Sequence, residues 1–95
     1  MGQHSKAIKN YKKVLKKDIN HREVLRSLTN ILMLFKQYDR AIKYYKHALK
    51  QYEKDKDFLY GYSLAIFKSY LLYQDQQSQL KKEDEKKLIN IEKNT

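Results

Sequence analysis

Apolar residues recur three and four positions apart in five successive segments of the chain. This spacing places them on one face of an α-helix and leaves the polar residues on the opposite face. The pattern predicts helices over residues 5–17, about 21–35, 39–52, 57–73 and 78–93. Asn20 precedes Glu23 by three positions, which is typical of a capping box at the start of the second helix.

The five segments differ in how much apolar surface they carry. The second has a wide apolar stripe and therefore needs neighbours on more than one side, and the fourth is nearly as apolar. The polar stretch 74–79 predicts a loop. The last segment carries few apolar residues among many charges, namely Leu80, Leu88, Ile89 and Ile91. We therefore expect the last helix to be lightly packed or frayed.

The composition supports a single all-α domain. The chain has 95 residues, enough for one modest core, and contains no Pro and two Gly. Absence of Cys excludes disulfides and thiolate metal sites and is compatible with a reducing compartment. The longest apolar run has five residues, far below the ~20 needed to cross a bilayer, and the first residues lack the apolar segment of a secretory signal. The expected location is intracellular, cytoplasmic or nuclear.

Residues with catalytic or metal-binding chemistry are scattered along the chain. His4, His21 and His47 lie on separate segments without the spacing of a metal site. No Ser stands in a nucleophile-elbow sequence, and no Gly-rich loop is present to bind phosphate. We therefore predict no enzymatic activity, no metal and no cofactor.

The charge is strongly positive. Lys and Arg number 21 against 11 Asp and Glu, which gives a formal net charge of +10. Basic residues concentrate in the first quarter of the chain, where Lys9, Lys13 and Lys16 share one helix face. These three lysines are candidate contacts to an anionic partner. Because most aromatic residues fall on the apolar stripes instead of between the lysines, stacking on nucleic-acid bases is the less favoured interpretation.

An internal repeat with a period of 34 residues relates two of the predicted helices. Residues 7–16, AIKNYKKVLK, align with residues 41–50, AIKYYKHALK. The second copy resembles the second helix of a tetratricopeptide repeat, because Ala41 and Ala48 occupy its small positions and Tyr45 its large aromatic position. The resemblance extends backwards to the four first-helix positions, which are occupied by Leu25, Leu28, Thr29 and Leu32.

The resemblance implies an all-α, right-handed α-solenoid fragment of antiparallel helix pairs, with about five helices in one domain. Residues 22–55 form one full repeat, and residues 5–17 correspond to the second helix of a preceding repeat. Residues 56–73 correspond to the first helix of a following repeat, with its four positions occupied by Leu59, Tyr62, Ser63 and Ile66. Residues 78–93 are expected to form an irregular or capping helix.

In tetratricopeptide-repeat proteins, the first helices of successive repeats line a concave groove that binds an extended peptide or a helix of a partner. The resemblance implies the same groove here, lined by Arg26, Asn30, Met33, Tyr60, Leu64, Phe67 and Lys68. Arg26 and Asn30 resemble a pair with which some family members hold a terminal carboxylate. Gly61 stands where a second Asn would be expected, so this clamp is incomplete.

Three functions are compatible with these patterns. The favoured one is a non-catalytic protein–protein interaction module, binding a partner in the groove or serving as a scaffold in a larger assembly. The alternative is electrostatic binding of RNA or another anionic surface through the lysine-rich first helix, with steep salt dependence. A third is self-association through exposed solenoid ends, with candidate contacts at Leu80, Leu88 and Ile91.

Overall fold

Short polar connections join four α-helices in the computed structural model, which describes the backbone of residues 2–93 and the side chains of residues 2–90. The helices are α1 (Gly2–Lys17), α2 (Arg22–Leu34), α3 (Tyr38–Gln51) and α4 (Lys56–Lys93). The predicted all-α fold class is confirmed. Ile91, one of the candidate contacts for self-association, lies outside the described side chains.

Each helix packs against the next one along the chain in antiparallel orientation. His4 at the start of α1 meets the ring of Phe35 just after the end of α2, with ring centroids 4.8 Å apart. Asp39 at the start of α3 accepts a 3.2 Å hydrogen bond from Ser69, well along α4. Connections of three or four residues are too short for neighbouring helices to lie apart, so successive helices pack side by side. As a result α2 and α4 both run antiparallel to α3 and therefore parallel to each other.

A single core lies between the helices. α2 contributes residues that are almost inaccessible to solvent because α1 and α3 both pack on it. The small residues Ala41 and Ala48 let α3 approach its neighbours closely, and both are fully buried. The buried apolar cluster consists of Leu15, Leu25, Leu28, Leu32, Ala41, Tyr45, Ala48, Phe58 and Ala65.

The N-cap of α2 differs from the sequence expectation. His21, not Asn20, is the N-cap, because its Nδ1 accepts a 3.3 Å hydrogen bond from the backbone N–H of Val24. At the other end, Lys36 adopts φ 59°, and the N–H of Gln37 donates to the carbonyl of Leu32 at 2.8 Å. This is the left-handed arrangement that Gly usually provides after a helix. Because position 36 is Lys and not Gly, this left-handed turn could not be predicted from the sequence.

The predicted loop over residues 74–79 is wrong, and with it the separate fifth helix. α4 runs without interruption through this segment. Residues 74–79 place polar side chains on every face of the helix, but the segment contains no Gly or Pro that would interrupt it. Its polarity therefore indicates exposure to solvent and not the end of a helix. Every residue from 71 to 90 is exposed. The 38 residues of α4 span about 57 Å, which accounts for most of the 64 Å length of the molecule.

Among the described helices, none is both long and apolar enough to cross a membrane. α4 has the necessary length but carries charged residues throughout its second half.

Candidate functional site

A cleft of about 210 Å³ opens between α2 and α4. Five of the seven predicted groove residues line it, although they come from helices about 30 residues apart in the sequence: Arg26, Asn30, Met33, Tyr60 and Leu64. The parallel course of α2 and α4 brings them together, because residues four apart on each helix repeat along the same face. Asn30 and Tyr60 are exposed, and Met33 and Leu64 are half-buried. The cleft therefore has an apolar interior and a polar rim.

Phe67 and Lys68 do not line this cleft. Phe67 lies on the same face of α4 as Leu64, about one turn farther along, and is 58% exposed. Lys68, four residues after Leu64, lies on the same face one turn farther along and borders a different depression, next to Lys36 and Leu71. Because α2 ends at Leu34, Lys68 lies beyond the part of α4 that faces α2.

Sequence reasoning missed most of the floor of the cleft. Thr29, Tyr45, Phe58 and Gly61 also line it, and Tyr45 comes from α3, behind the two groove helices. The helical spacing identifies Tyr45 only as a core residue, which it also is, with 4% of its surface exposed. Burial raises the pKa of the Tyr45 hydroxyl, so the floor carries no charge at neutral pH.

Gly61 makes the approach of Tyr45 possible. A Cβ atom added at Gly61 would lie 2.5 Å from Cζ and from the hydroxyl oxygen of Tyr45. The position expected to hold a second Asn of a carboxylate clamp therefore has no room for a side chain while Tyr45 occupies the floor. A lone Gly inside a helical pattern is the one sequence signal of such close packing.

Asp55 organises the end of the cleft where α4 begins. Its Oδ1 accepts hydrogen bonds from the backbone N–H groups of Asp57 and Phe58, at 3.0 and 3.2 Å, and so caps α4. Its Oδ2 accepts a 2.7 Å bond from Nε of Arg22, which ties the start of α2 to the start of α4. Partial burial by itself would raise the pKa of Asp55, but the hydrogen bonds from Arg22 and Phe58 outweigh it and hold that pKa below the ordinary value.

Arg26 faces a carboxylate that belongs to the chain itself. Its Nη2 lies 3.8 Å from Oδ2 of Asp57, and both side chains are more than half exposed. Exposed pairs of this kind contribute little to stability, so either group is available to a ligand. Nη2 of Arg22 lies 3.6 Å from the same oxygen of Asp57. The mouth of the cleft consequently presents positive and negative groups side by side, an arrangement suited to a polar backbone better than to a lone carboxylate.

Replacement of Asp55 separates its two roles. We expect Asp55→Ala to remove both the cap, worth about 1 kcal/mol of unfolding free energy, and the link to Arg22. Asp55→Asn keeps a capping oxygen and loses only the ionic link. The stabilisation from an ionised Asp55 is present above the ordinary carboxyl pKa of about 3.9 and is lost as pH falls through the lower pKa of the folded state.

Urea unfolding from pH 7 to pH 2 measures this dependence. The difference between the wild type and Asp55→Asn should hold steady above about pH 5 and shrink toward zero in acid, whereas the difference between Asn and Ala should not change with pH. A difference between the wild type and Asp55→Asn that persists unchanged at pH 2 would mean that the ionic link does not stabilise the fold.

The candidate anion contacts lie elsewhere. Lys9, Lys13 and Lys16 are exposed on α1, the helix that packs against the other side of α2. Residues 1–55 carry 14 of the basic residues and 5 of the acidic ones, whereas residues 56–95 carry 7 and 6. The positive charge of the chain is therefore concentrated on α1, α2 and α3, and α4 is close to neutral.

Within the described part of the chain, no three His, Asp or Glu side chains come close enough together to hold a metal ion. Comparison of the chain with models of protein families, with curated proteins and with solved structures found no match.

Proposed function

We propose that the chain is a tetratricopeptide-repeat-like interaction module without catalytic activity, which binds an extended peptide or a helix of a partner protein in the cleft between α2 and α4. One observation carries the proposal: five residues predicted for a groove, on two helices distant in the sequence, line one cleft. The antiparallel pairing of successive helices and the 34-residue repeat support it. In this proposal residues 22–55 are the full repeat, flanked by halves of its neighbours.

The size of the cleft favours a peptide side chain over a cofactor. Its volume of about 210 Å³ is below the roughly 300–1,000 Å³ of typical small-molecule sites. It suits one or two apolar side chains, which would contact Met33 and Leu64. The amide of Asn30 and the charges of Arg26 and Asp57 are then placed to hydrogen-bond the backbone beside that anchor.

A displayed library of random peptides tests the proposal, because it samples many ligand sequences at once. Peptides selected on the wild type should bind in solution and should perturb the amide resonances of α2 and α4. The variant Arg26→Ala/Asn30→Ala/Tyr60→Ala changes three exposed residues of the cleft and should weaken binding by at least about ten-fold. Circular dichroism checks that the variant retains its helices.

The matched control is Asn10→Ala/Arg40→Ala/Tyr70→Ala, which removes the same three side-chain types from exposed positions outside the cleft. It should bind like the wild type. Equal losses in both variants, or resonance changes confined to α1, would reject the cleft as the binding site.

The concentration of positive charge on the first three helices supports a second candidate function, the binding of a polyanion through Lys9, Lys13 and Lys16. This candidate requires that charge reversal of the three lysines abolish retention of RNA and that affinity fall steeply with salt. The cleft triple variant should leave such binding unchanged, so the two functions are separable.

A further inference from the structure

α4 exposes an apolar stripe along most of its length, interrupted on the same face by Gln77 and Asp84. The stripe consists of residues spaced so that they share one face of the helix: Leu59, Ile66, Tyr70, Tyr73, Leu80 and Leu88. Their surfaces are between 44 and 60% exposed. The α4 stripe begins where α4 packs on α3 and continues into the segment in which every residue is exposed. A surface of this kind on a helix usually has a partner.

The equivalent face of α2 can be compared with the α4 stripe. The 34-residue repeat places Leu59 and Ile66 at the positions of Leu25 and Leu32 in α2. Leu25 and Leu32 are 0 and 2% exposed because α2 has a helix packed on each side. Leu59 and Ile66 are 44 and 45% exposed. The α4 stripe is therefore the face that, in α2, is covered by another helix.

We propose that the α4 stripe is a homodimerisation surface, on which a second copy of this chain lays its own α4 in antiparallel orientation. Apart from Tyr70, whose equivalent position holds Gln76, the apolar residues of the stripe are nearly symmetric about Tyr73. Ile66 and Leu80 are each seven residues away, and Leu59 and Leu88 are fourteen and fifteen residues away. A two-fold axis at Tyr73 then sets Ile66 against Leu80 of the second copy and Leu59 against Leu88 of the second copy. Such an interface is self-complementary and closes at two subunits.

The rest of the fold leaves room for this pairing. α3 covers a different face of α4, where Phe58 and Ala65 are buried, about a third of a turn around the helix from the stripe. In the dimer, the exposed second half of each α4 lies along the first half of the other, in the place that a following helix would occupy. The cleft residues Tyr60 and Leu64 lie on a third face and stay open, so dimerisation and peptide binding are independent of each other.

The distribution of charge favours a second copy as the occupant. Residues 56–95 carry 7 basic and 6 acidic residues, so two α4 helices meet with little repulsion. An acidic partner attracted by the net charge of +10 would be drawn instead to the earlier helices, whose sequence carries 14 basic and 5 acidic residues. The antiparallel arrangement also keeps those basic regions at opposite ends of the dimer.

Sedimentation equilibrium over a range of concentrations tests the proposal. The mass of the wild type should rise from 11.6 kDa to twice that value and no further. Leu80→Glu places a charge on the stripe at an exposed site and should weaken dimerisation by at least about ten-fold. The control Leu71→Glu makes the same change on the same helix, at a residue that is 48% exposed and lies off the stripe, and should dimerise like the wild type.

Because the chain has no Cys, single thiols can test the register. Tyr73→Cys places one thiol per chain at the two-fold axis, and a short bismaleimide should link the two chains efficiently. Leu71→Cys, on another face, should not be linked. A wild-type mass that stays at 11.6 kDa, a mass above the dimer, equal loss in Leu71→Glu, or equal linking of both thiols would overturn the proposal.

Discussion

We expect Phe58→Ala to lower the free energy of unfolding by about 3–5 kcal/mol, a large part of the stability of a domain this small. Phe58 is 1% exposed and joins three helices. Its ring meets Tyr45 edge-on, with centroids 6.4 Å apart, and lies 6.0 Å from the ring of Tyr52. The guanidinium of Arg22 sits over it at 5.6 Å. Removing the ring leaves a cavity between α2, α3 and α4, which urea unfolding followed by circular dichroism would register as a lower midpoint.

Phe67→Ala is the matched control, because it makes the same change on the same helix at a residue that is 58% exposed. Its effect should stay within about 0.5 kcal/mol. Similar losses for both substitutions, or a loss below about 1 kcal/mol for Phe58→Ala, would contradict the docking of α4 on α3 that the structure describes.

The periodicity of the sequence predicted the helices well wherever one face is buried. The predicted bounds of the second and third helices lie within one residue of α2 and α3. The pattern failed where burial ends. Residues 74–79 were predicted to form a loop because the helical spacing of apolar residues is interrupted there. A helix nevertheless continues through exposed residues when the segment contains no helix-breaking residue. The periodicity of apolar residues indicates which helix faces are packed, so a helical segment without packing contacts shows little periodicity.

The groove was predictable only in part, for a similar reason. The resemblance to a tetratricopeptide repeat implied which face of each helix lines a groove, and five of the residues it named line the cleft: Arg26, Asn30 and Met33 on one helix, and Tyr60 and Leu64 on the other. The floor depends on how deeply a third helix reaches between these two, and spacing along a single helix contains no such information. Tyr45 reaches the cleft because residue 61 has no side chain.

The role of Asp55 also depends on the tertiary fold. In the sequence it belongs to a charged run that closes the third helix. In the structure one carboxylate caps α4 and binds Arg22, a residue 33 positions earlier. The capping role has a sequence signal, an Asp placed three residues before the apolar Phe58, but the partner of its second oxygen is set by the tertiary fold.

Gly61→Ala should destabilise the protein although it improves helix propensity. In an exposed helix interior this change raises stability by about 1 kcal/mol. At Gly61 the new methyl group would meet the buried ring of Tyr45 at 2.5 Å, and overpacking of this kind costs about 1–3 kcal/mol. We expect the free energy of unfolding to fall by up to about 2 kcal/mol, measured by urea unfolding. The sign of the effect distinguishes close packing from simple propensity.

Gly2→Ala provides the control, because a Cβ atom there would meet nothing within 4 Å, and it should be neutral or slightly stabilising. A second substitution identifies the clashing atoms. Tyr45→Phe removes the hydroxyl but keeps Cζ and Cε1, which lie 2.5 and 2.6 Å from the added methyl, so Gly61→Ala should remain destabilising in that background. Tyr45→Leu removes the far end of the ring, and there Gly61→Ala should become neutral or stabilising. A stabilising effect of Gly61→Ala in the wild type would mean that Tyr45 does not form the floor of the cleft.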